Sequence, residues 1–166
     1  DLEFIEITNN SNQTISMDGI YFSGTGLVYQ FPGSSFLPPD TSIFLAANLT
    51  VFQNKYGFLP FGQFTRHLSN KEQTLVLSDA FGNVIDNVHY FDTIPWPDAD
   101  NNGYYLKLTD PDLDNNVPGN WTSSNELILS AGDLNADLNL KFSPNPVIDI
   151  LKIEATAEIK TVTLYD

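Results

Sequence analysis

The chain predicts an all-β fold: a β-sandwich followed by a short C-terminal β-strand tail. Three observations carry that expectation. Apolar and polar residues alternate with period two in successive short runs, as where Ile5 and Ile7 flank Glu6. Pro and Gly, 10 of each in 166 residues, punctuate the connections between those runs. Only one stretch, Asn48 to Tyr56, reads as a helix, and it is brief. Many short strands joined by Gly/Pro turns argue for a sandwich.

The elements follow in order. Ile15 alternates with Met17, and Ile20 with Phe22. The parity changes across Asp18-Gly19, so a bulge or tight bend is expected there. Ser42-Ile43-Phe44-Leu45-Ala46 reads as a short buried strand. The helix would start at a capping Asn48 and stop at Gly57. Leu75 and Leu77 lead into Asp79-Ala-Phe-Gly82-Asn83, a turn-forming cluster, after which Val84, Val88 and Tyr90 share a face with Asp86. These two runs predict an antiparallel hairpin. Tyr104, Leu106 and Leu108 alternate with Tyr105, Lys107 and Thr109, giving a half-buried strand. Ser130 to Asn139 is small and polar and reads as a linker. The expected organisation is therefore a main domain over 1–129, a linker over 130–139 and a tail over 140–166.

Composition narrows the function classes. Net charge is −14, with 7 basic against 21 acidic residues. Such a surface repels phosphate backbones and anionic lipid, so neither nucleic acid nor membrane insertion is expected. The absence of Cys excludes disulfides and thiolate metal sites. No apolar run approaches the length of a membrane span. Asp1 leads straight into a strand-like segment, so an export signal is expected upstream of it.

Residues from about Glu3 to Ser124 resemble the lamin tail domain, an immunoglobulin-like sandwich. The resemblance begins at Glu3-Phe-Ile-Glu-Ile7-Thr-Asn-Asn and continues through Asp18-Gly-Ile-Tyr-Phe-Ser23, Phe31-Pro-Gly33 and Leu37-Pro-Pro-Asp-Thr-Ser-Ile-Phe-Leu-Ala46. Its most specific part runs over Leu68-Ser-Asn70, Leu75-Val-Leu-Ser-Asp79, Gly82-Asn-Val-Ile-Asp86 and Pro95-Trp-Pro97. It closes with Gly103-Tyr-Tyr-Leu-Lys-Leu108, Asp110-Pro-Asp-Leu-Asp-Asn115 and Asn120-Trp121. The family often carries Trp where this chain has Ile20, a swap that keeps an apolar residue. The resemblance implies an immunoglobulin-like fold and a non-catalytic module, of the kind attached in bacteria to secreted nucleases, other hydrolases or surface proteins. It supplies no catalytic residues.

The tail has its own resemblance. Phe142-Ser-Pro144-Asn145-Pro146-Val-Ile-Asp149-Ile-Leu-Lys-Ile153, followed by Ile159-Lys-Thr-Val-Thr-Leu-Tyr-Asp166, resembles the opening of the C-terminal sorting domain read by the type IX secretion system of Gram-negative bacteria. Pro144, Asn145 and Pro146 form its turn, and the rest of a sorting domain would follow Asp166. This implies an extracellular or outer-membrane surface location, with the secretion machinery as a partner. The unpaired edges of two such strands also predict dimerisation or strand exchange through the tail.

The sharpest local motif is Asp98-Ala-Asp100-Asn-Asn102-Gly103, the first half of a calcium loop by spacing. Calcium wants six to eight hard oxygens, and alternating Asp and Asn on a turning backbone can aim several inward. The twelfth position is Thr109, so the closing bidentate Glu is missing. Asp110, Asp112 and Asp114 repeat the spacing without the Gly. Calcium is the one cofactor this pattern suggests. Asp, Asn, Pro and Gly are also ordinary turn formers, and that reading carries more weight. Trp96, Tyr105 and Trp121 are candidate contact residues for an unknown protein or glycan, because aromatic faces stack on ligands, although a Trp in a sandwich more often packs. Asp92-Thr93-Ile94 resembles an O-glycosylation acceptor in some of these bacteria.

A catalytic site is not expected. Asp86 and His89 lie on opposite faces of an extended strand because their spacing is odd. His67 has no Asp placed by sequence to orient it, and the many carboxylates sit in solvated turns. The leading expectation is a non-catalytic interaction or structural module of a larger exported protein. The alternatives are a calcium-dependent adhesion or ligand-binding module, and an accessory domain of a secreted hydrolase or nuclease. The loops from Pro95 to Gly103 and from Asp110 to Asn120 are the expected contact surface.

Overall fold

Strand β1 (Phe4–Asn9) pairs antiparallel with β5 (Thr41–Ala46) in a computed structural model that describes residues 2–99, 103–125, 141–143 and 152–154. The expected linker over 130–139 and the Pro144-Asn145-Pro146 turn lie outside the described residues. The chain divides into two units, Asp1–Ile128 and Leu129–Asp166.

In the first unit, β5 carries the packing. Its cross-strand pairs sort by face: Ile5 opposite Leu45 and Ile7 opposite Ile43 point one way, and Phe4 opposite Ala46 points the other. The Ile and Leu face joins a core of Met17, Ile20, Phe22, Leu27, Phe31, Leu37 and Phe64. The Phe face meets a layer of rings. Phe44 lies 5.8 Å from Phe52 and 5.4 Å from Phe58, and Phe4 lies 5.5 Å from Phe52 and 5.0 Å from Tyr105. Both faces of β5 are thus covered, and Leu45 is 0% exposed.

The helix that supplies Phe52 is where the sequence places it. α1 (Leu49–Tyr56) opens with Asn48, whose side chain accepts from Val51 N, and closes at Gly57 with φ 85°. The helix links β5 to β6 (Gly62–Gln63), which runs parallel to β5. The period-two pattern carries no sign of this crossover, because β6 is only two residues long.

The opposing sheet has the order β3 (Tyr21–Ser23), β7 (Glu72–Ser78), β8 (Val84–Phe91). Phe22, Leu75 and Leu77 face the shared core, so the two three-stranded sheets enclose it as a sandwich. The β7–β8 hairpin is the one predicted, and Asp79 builds its turn. Its Oδ1 accepts from the N–H groups of Phe81 and Asn83, and its Oδ2 accepts from the Asn83 amide. These bonds hold the Asp79 carboxyl below the usual carboxylate range, the Asn83 side chain first among them. One expectation is corrected here. A register shift leaves Ile85 without a partner, with Leu77 opposite Asp86 and Ser78 opposite Val84. The alternation breaks at this bulge, so Val84 and Asp86, expected on one face with Val88 and Tyr90, are exposed while Val88 and Tyr90 are half-buried.

The Asp18-Gly19 break is a tight turn: Gly19 has φ 73°, and Ile20 N donates to Met17 O. Strand β2 (Ile15–Ser16), paired with β4 (Phe36–Leu37), ends before Met17, so Ile15 is exposed while Met17 is buried. Strand β9 (Tyr105–Leu108) starts one residue later than its alternation suggests and pairs with β10 (Trp121–Ser124), a strand the sequence pattern does not mark. In the second unit, β11 (Lys141–Ser143) and β12 (Lys152–Glu154) pair antiparallel.

Asn9 closes the end of β1. It is buried, at 2% exposure, with its amide fully engaged. Nδ2 donates to the carbonyls of Gln13, Leu37 and Pro38, and Oδ1 accepts from Ser11 N and Ser11 Oγ. Removing it strands the buried Leu37 carbonyl, worth roughly 1–3 kcal/mol, and opens the part-buried bonds to Gln13, Pro38 and Ser11. Asn9→Ala is therefore expected to lower unfolding free energy by about 2–4 kcal/mol in a urea titration. A change under about 0.5 kcal/mol would mean the loop finds other partners.

Tyr90 gives a pH signature. Burial pushes its phenol up to about 12, and the Glu3 carboxylate acts in the same direction. Its hydroxyl donates to Ser69 O at 2.7 Å. A pKa raised in the folded state favours the neutral form, so this contribution is complete below about pH 10 and lost as pH climbs toward 12. Melting temperature is expected to fall across that window, with a shallower fall in Tyr90→Phe.

Candidate functional site

The loop over residues 110–120 is assembled by its own side chains. Asp110 Oδ1 accepts from Asp112 N, and Asp114 Oδ1 accepts from Asn116 N, both at 2.9 Å. These are turns closed by a side chain two residues back. Asn120 Nδ2 donates to Asp114 O, and Asn10 Nδ2 reaches Pro111 O and Asp112 Oδ1.

The loop then ties itself to β8. Asn115 Nδ2 donates to Asp86 Oδ2 at 2.8 Å. Asn116 takes two adjacent backbone groups of the strand: Nδ2 donates to Asn87 O, and Oδ1 accepts from His89 N. β8 is the outer strand of its sheet, so the amide of Asn116 pairs with an edge that would otherwise stand open.

Beyond this tie, the end of β8 and two loop segments border a groove of about 490 Å³. The His89 and Phe91 rings stack on one wall, 4.4 Å apart and 29° from parallel. Ile94 stands 94% exposed at the rim, and Pro95 follows it through a cis peptide. Pro118 and Asn116 border the other side. Trp96 lines the groove, yet it is only 5% exposed and packs 5.7 Å from Trp121. The Trp121 indole N–H donates to Asn115 O, so the Trp pair anchors the loop that carries Asn116.

Each sequence candidate now has a place. Trp96 and Trp121 pack on each other, with Trp96 edging the groove. Tyr105 is half-buried against Phe4, and its neighbour Tyr104 is the exposed one of the pair, at 46%. Asp98 is exposed, whereas Asp100 and Asn102 lie outside the described residues. Asp110, Asp112 and Asp114 are exposed, and among the described residues no three acidic or His side chains converge as a metal group. His67 Nδ1 lies 3.7 Å from Glu3 Oε2 and is itself 72% exposed. The sequence pointed at these loops and weighed His89 only as a catalytic group, and it did not mark Phe91, Ile94 or Asn116 as individual contact residues. For Asn116 the signal was the Asn115-Asn116 pair inside a polar run, which reads as a plain turn until a strand edge lies opposite it.

A calcium titration separates the two acidic loops. Replacing both Asp110 and Asp114 with Asn keeps each side-chain acceptor for its turn. This variant is expected to match the parent in melting temperature and in its calorimetric response to calcium. Loss of a saturable response in the variant would assign the metal to this loop instead.

The family model of the lamin tail domain matches residues 1–92. That span runs from β1 to the end of β8 and stops before the Ile94–Trp96 and 110–120 segments. No curated protein and no solved structure matches the chain.

Proposed function

We propose that this chain, which belongs to the lamin tail domain family, is a non-catalytic interaction module of a larger secreted or cell-surface bacterial protein, with its C-terminal segment acting as the export and anchoring signal. The family and its all-β immunoglobulin-like fold are those of a structural or interaction module. The observation that carries the interaction reading is the groove beside β8. Its wall is built from the His89 and Phe91 rings on β8 and from Ile94, Pro95 and Pro118 on the adjoining segments, and Asn116 ties its loop to the strand.

The export reading is supported by the Pro144-Asn145-Pro146 sequence, which lies in the stretch of chain between the paired strands β11 and β12. The test is a secretion assay in a Gram-negative host with a type IX system. The chain, behind a periplasmic signal peptide, is compared with a variant in which Pro144, Asn145 and Pro146 are all Ala. The parent is expected outside the cell or on its surface, and the variant is expected to stay in the periplasm. Equal distribution of the two would remove the export reading and leave the interaction module standing.

A further inference from the structure

We infer that the groove beside β8 binds an extended, proline-rich peptide segment with basic flanks. This rests on the interaction-module reading and names the class of partner for the same groove. Four observations lead to it.

The wall is apolar and ring-bearing. The stacked His89 and Phe91 rings present a flat surface, with Ile94 and Pro118 standing on either side of the groove. Ile94 is 94% exposed, so an apolar side chain waits at the rim with no partner of its own fold. Ridged peptides in the polyproline conformation dock on such aromatic-lined grooves with little loss of chain entropy, because they are already extended.

The polar inventory argues against a sugar. A sugar needs several side chains free to read its hydroxyls. The one amide in the lining, Asn116, has its donors committed to Asn87 O and Asn115 Oδ1, and its oxygen accepts from His89 N. What remains in the lining is the His89 imidazole and the Thr93 hydroxyl, each able to donate and to accept, and the Trp96 indole, which only donates. Proline-rich backbone offers carbonyl acceptors and few N–H groups, and each of these three side chains carries a donor for it.

The β8 edge argues against strand addition. An incoming β-strand would need the backbone groups of Asn87 and His89, and Asn116 already holds both. A polyproline segment makes no such demand.

Charge sets the flanks. No carboxylate lines the groove, yet Asp92 sits between two lining residues and Asp114 lies two positions from Asn116, both exposed. The chain carries −14 in all. Lys or Arg on either side of the proline core would find complementary charge, and an acidic flank would be repelled.

The test uses the full chain and a dye-labelled oligoproline peptide carrying an arginine at each end, followed by fluorescence polarisation. Two further probes are the same oligoproline with glutamate ends and a Gly-Ser peptide with arginine ends. Saturable binding is expected for the first probe, with at least tenfold weaker binding for the other two. Ile94→Ser, at an exposed position, should keep the parent melting temperature and weaken the first probe about tenfold, the loss expected for one apolar side chain no longer buried. Asp92→Asn should weaken it several-fold and flatten its salt dependence. Equal binding of the arginine-ended Gly-Ser peptide, unaffected by Ile94→Ser, would reduce the effect to charge and overturn the inference. Absence of binding by the first probe, or binding of a soluble glucan oligosaccharide that Ile94→Ser abolishes, would also overturn it. Glucan binding that Ile94→Ser abolishes would overturn the peptide inference while keeping the groove as an interaction surface, whereas no binding of any probe would count against the interaction reading as well.

Discussion

Covering β5 on both faces is the constraint from which the rest of the main unit follows. A strand buried on one side needs one opposing layer, whereas β5 needs two. Its Ile43 and Leu45 side chains draw the β3–β7–β8 sheet over one face, and Phe44 draws a ring layer over the other. Burying a side chain of this size contributes roughly 1.5–3 kcal/mol, well above the net value of one hydrogen bond. Placing α1 over the outer face is therefore favourable even though an isolated eight-residue helix is too short to persist in water. The helix exists because Phe52 has somewhere to go, and Phe4 and Tyr105 extend the same ring layer to β1 and β9.

Short strands impose a second demand. Several elements here are two to four residues long, so backbone ladders end early and leave polar groups at their ends. Side-chain amides take over where ladders stop. Asn9 does so in the interior, gathering three carbonyls from two loops at the end of β1. Asn116 does so at the surface, along the open edge of β8. Both use the same property: an amide carries a donor and an acceptor side by side, as a strand residue does. The burial differs, and so does the consequence. At Asn9 the Leu37 carbonyl is buried and has no water to turn to, whereas at Asn116 water can substitute.

How much of this was legible in the sequence follows from the same physics. Alternation marked β1, β3, β7, β8 and β9, and an unbroken apolar run marked β5. The Asn48 cap and Gly57 stop marked α1 because capping is a local chemistry that needs no tertiary partner. Strands β4 and β6 were not marked, since a pair of residues has no period, and β10 was not, since Trp121-Thr-Ser-Ser124 carries a single apolar residue and so no alternation. The bulge at Ile85 was hidden for a related reason: alternation on one strand cannot reveal that its partner slips by one. At the candidate site, the loops were identified by their turn formers and Trp residues. The roles within them were not, because Trp96 reads the same in sequence whether it is presented or packed. Only its 5.7 Å contact with Trp121 shows that it supports the loop.

The groove itself is a product of the edge. An outer strand left bare would pair with whatever strand came near. Covering all of β8 with another strand would have hidden His89 and Phe91 as well. Asn116 instead blocks the edge at a single point, between Asn87 and His89, with one side chain. The loop that carries it must approach β8 only there, and Asn115, Asp86 and Trp121 hold it in place. Past that point the loop no longer needs to touch the strand, and the space that opens is bordered by the residues that follow the plug, His89 and Phe91. Protection from indiscriminate strand pairing and a surface for selective contact thus arise from the same amide.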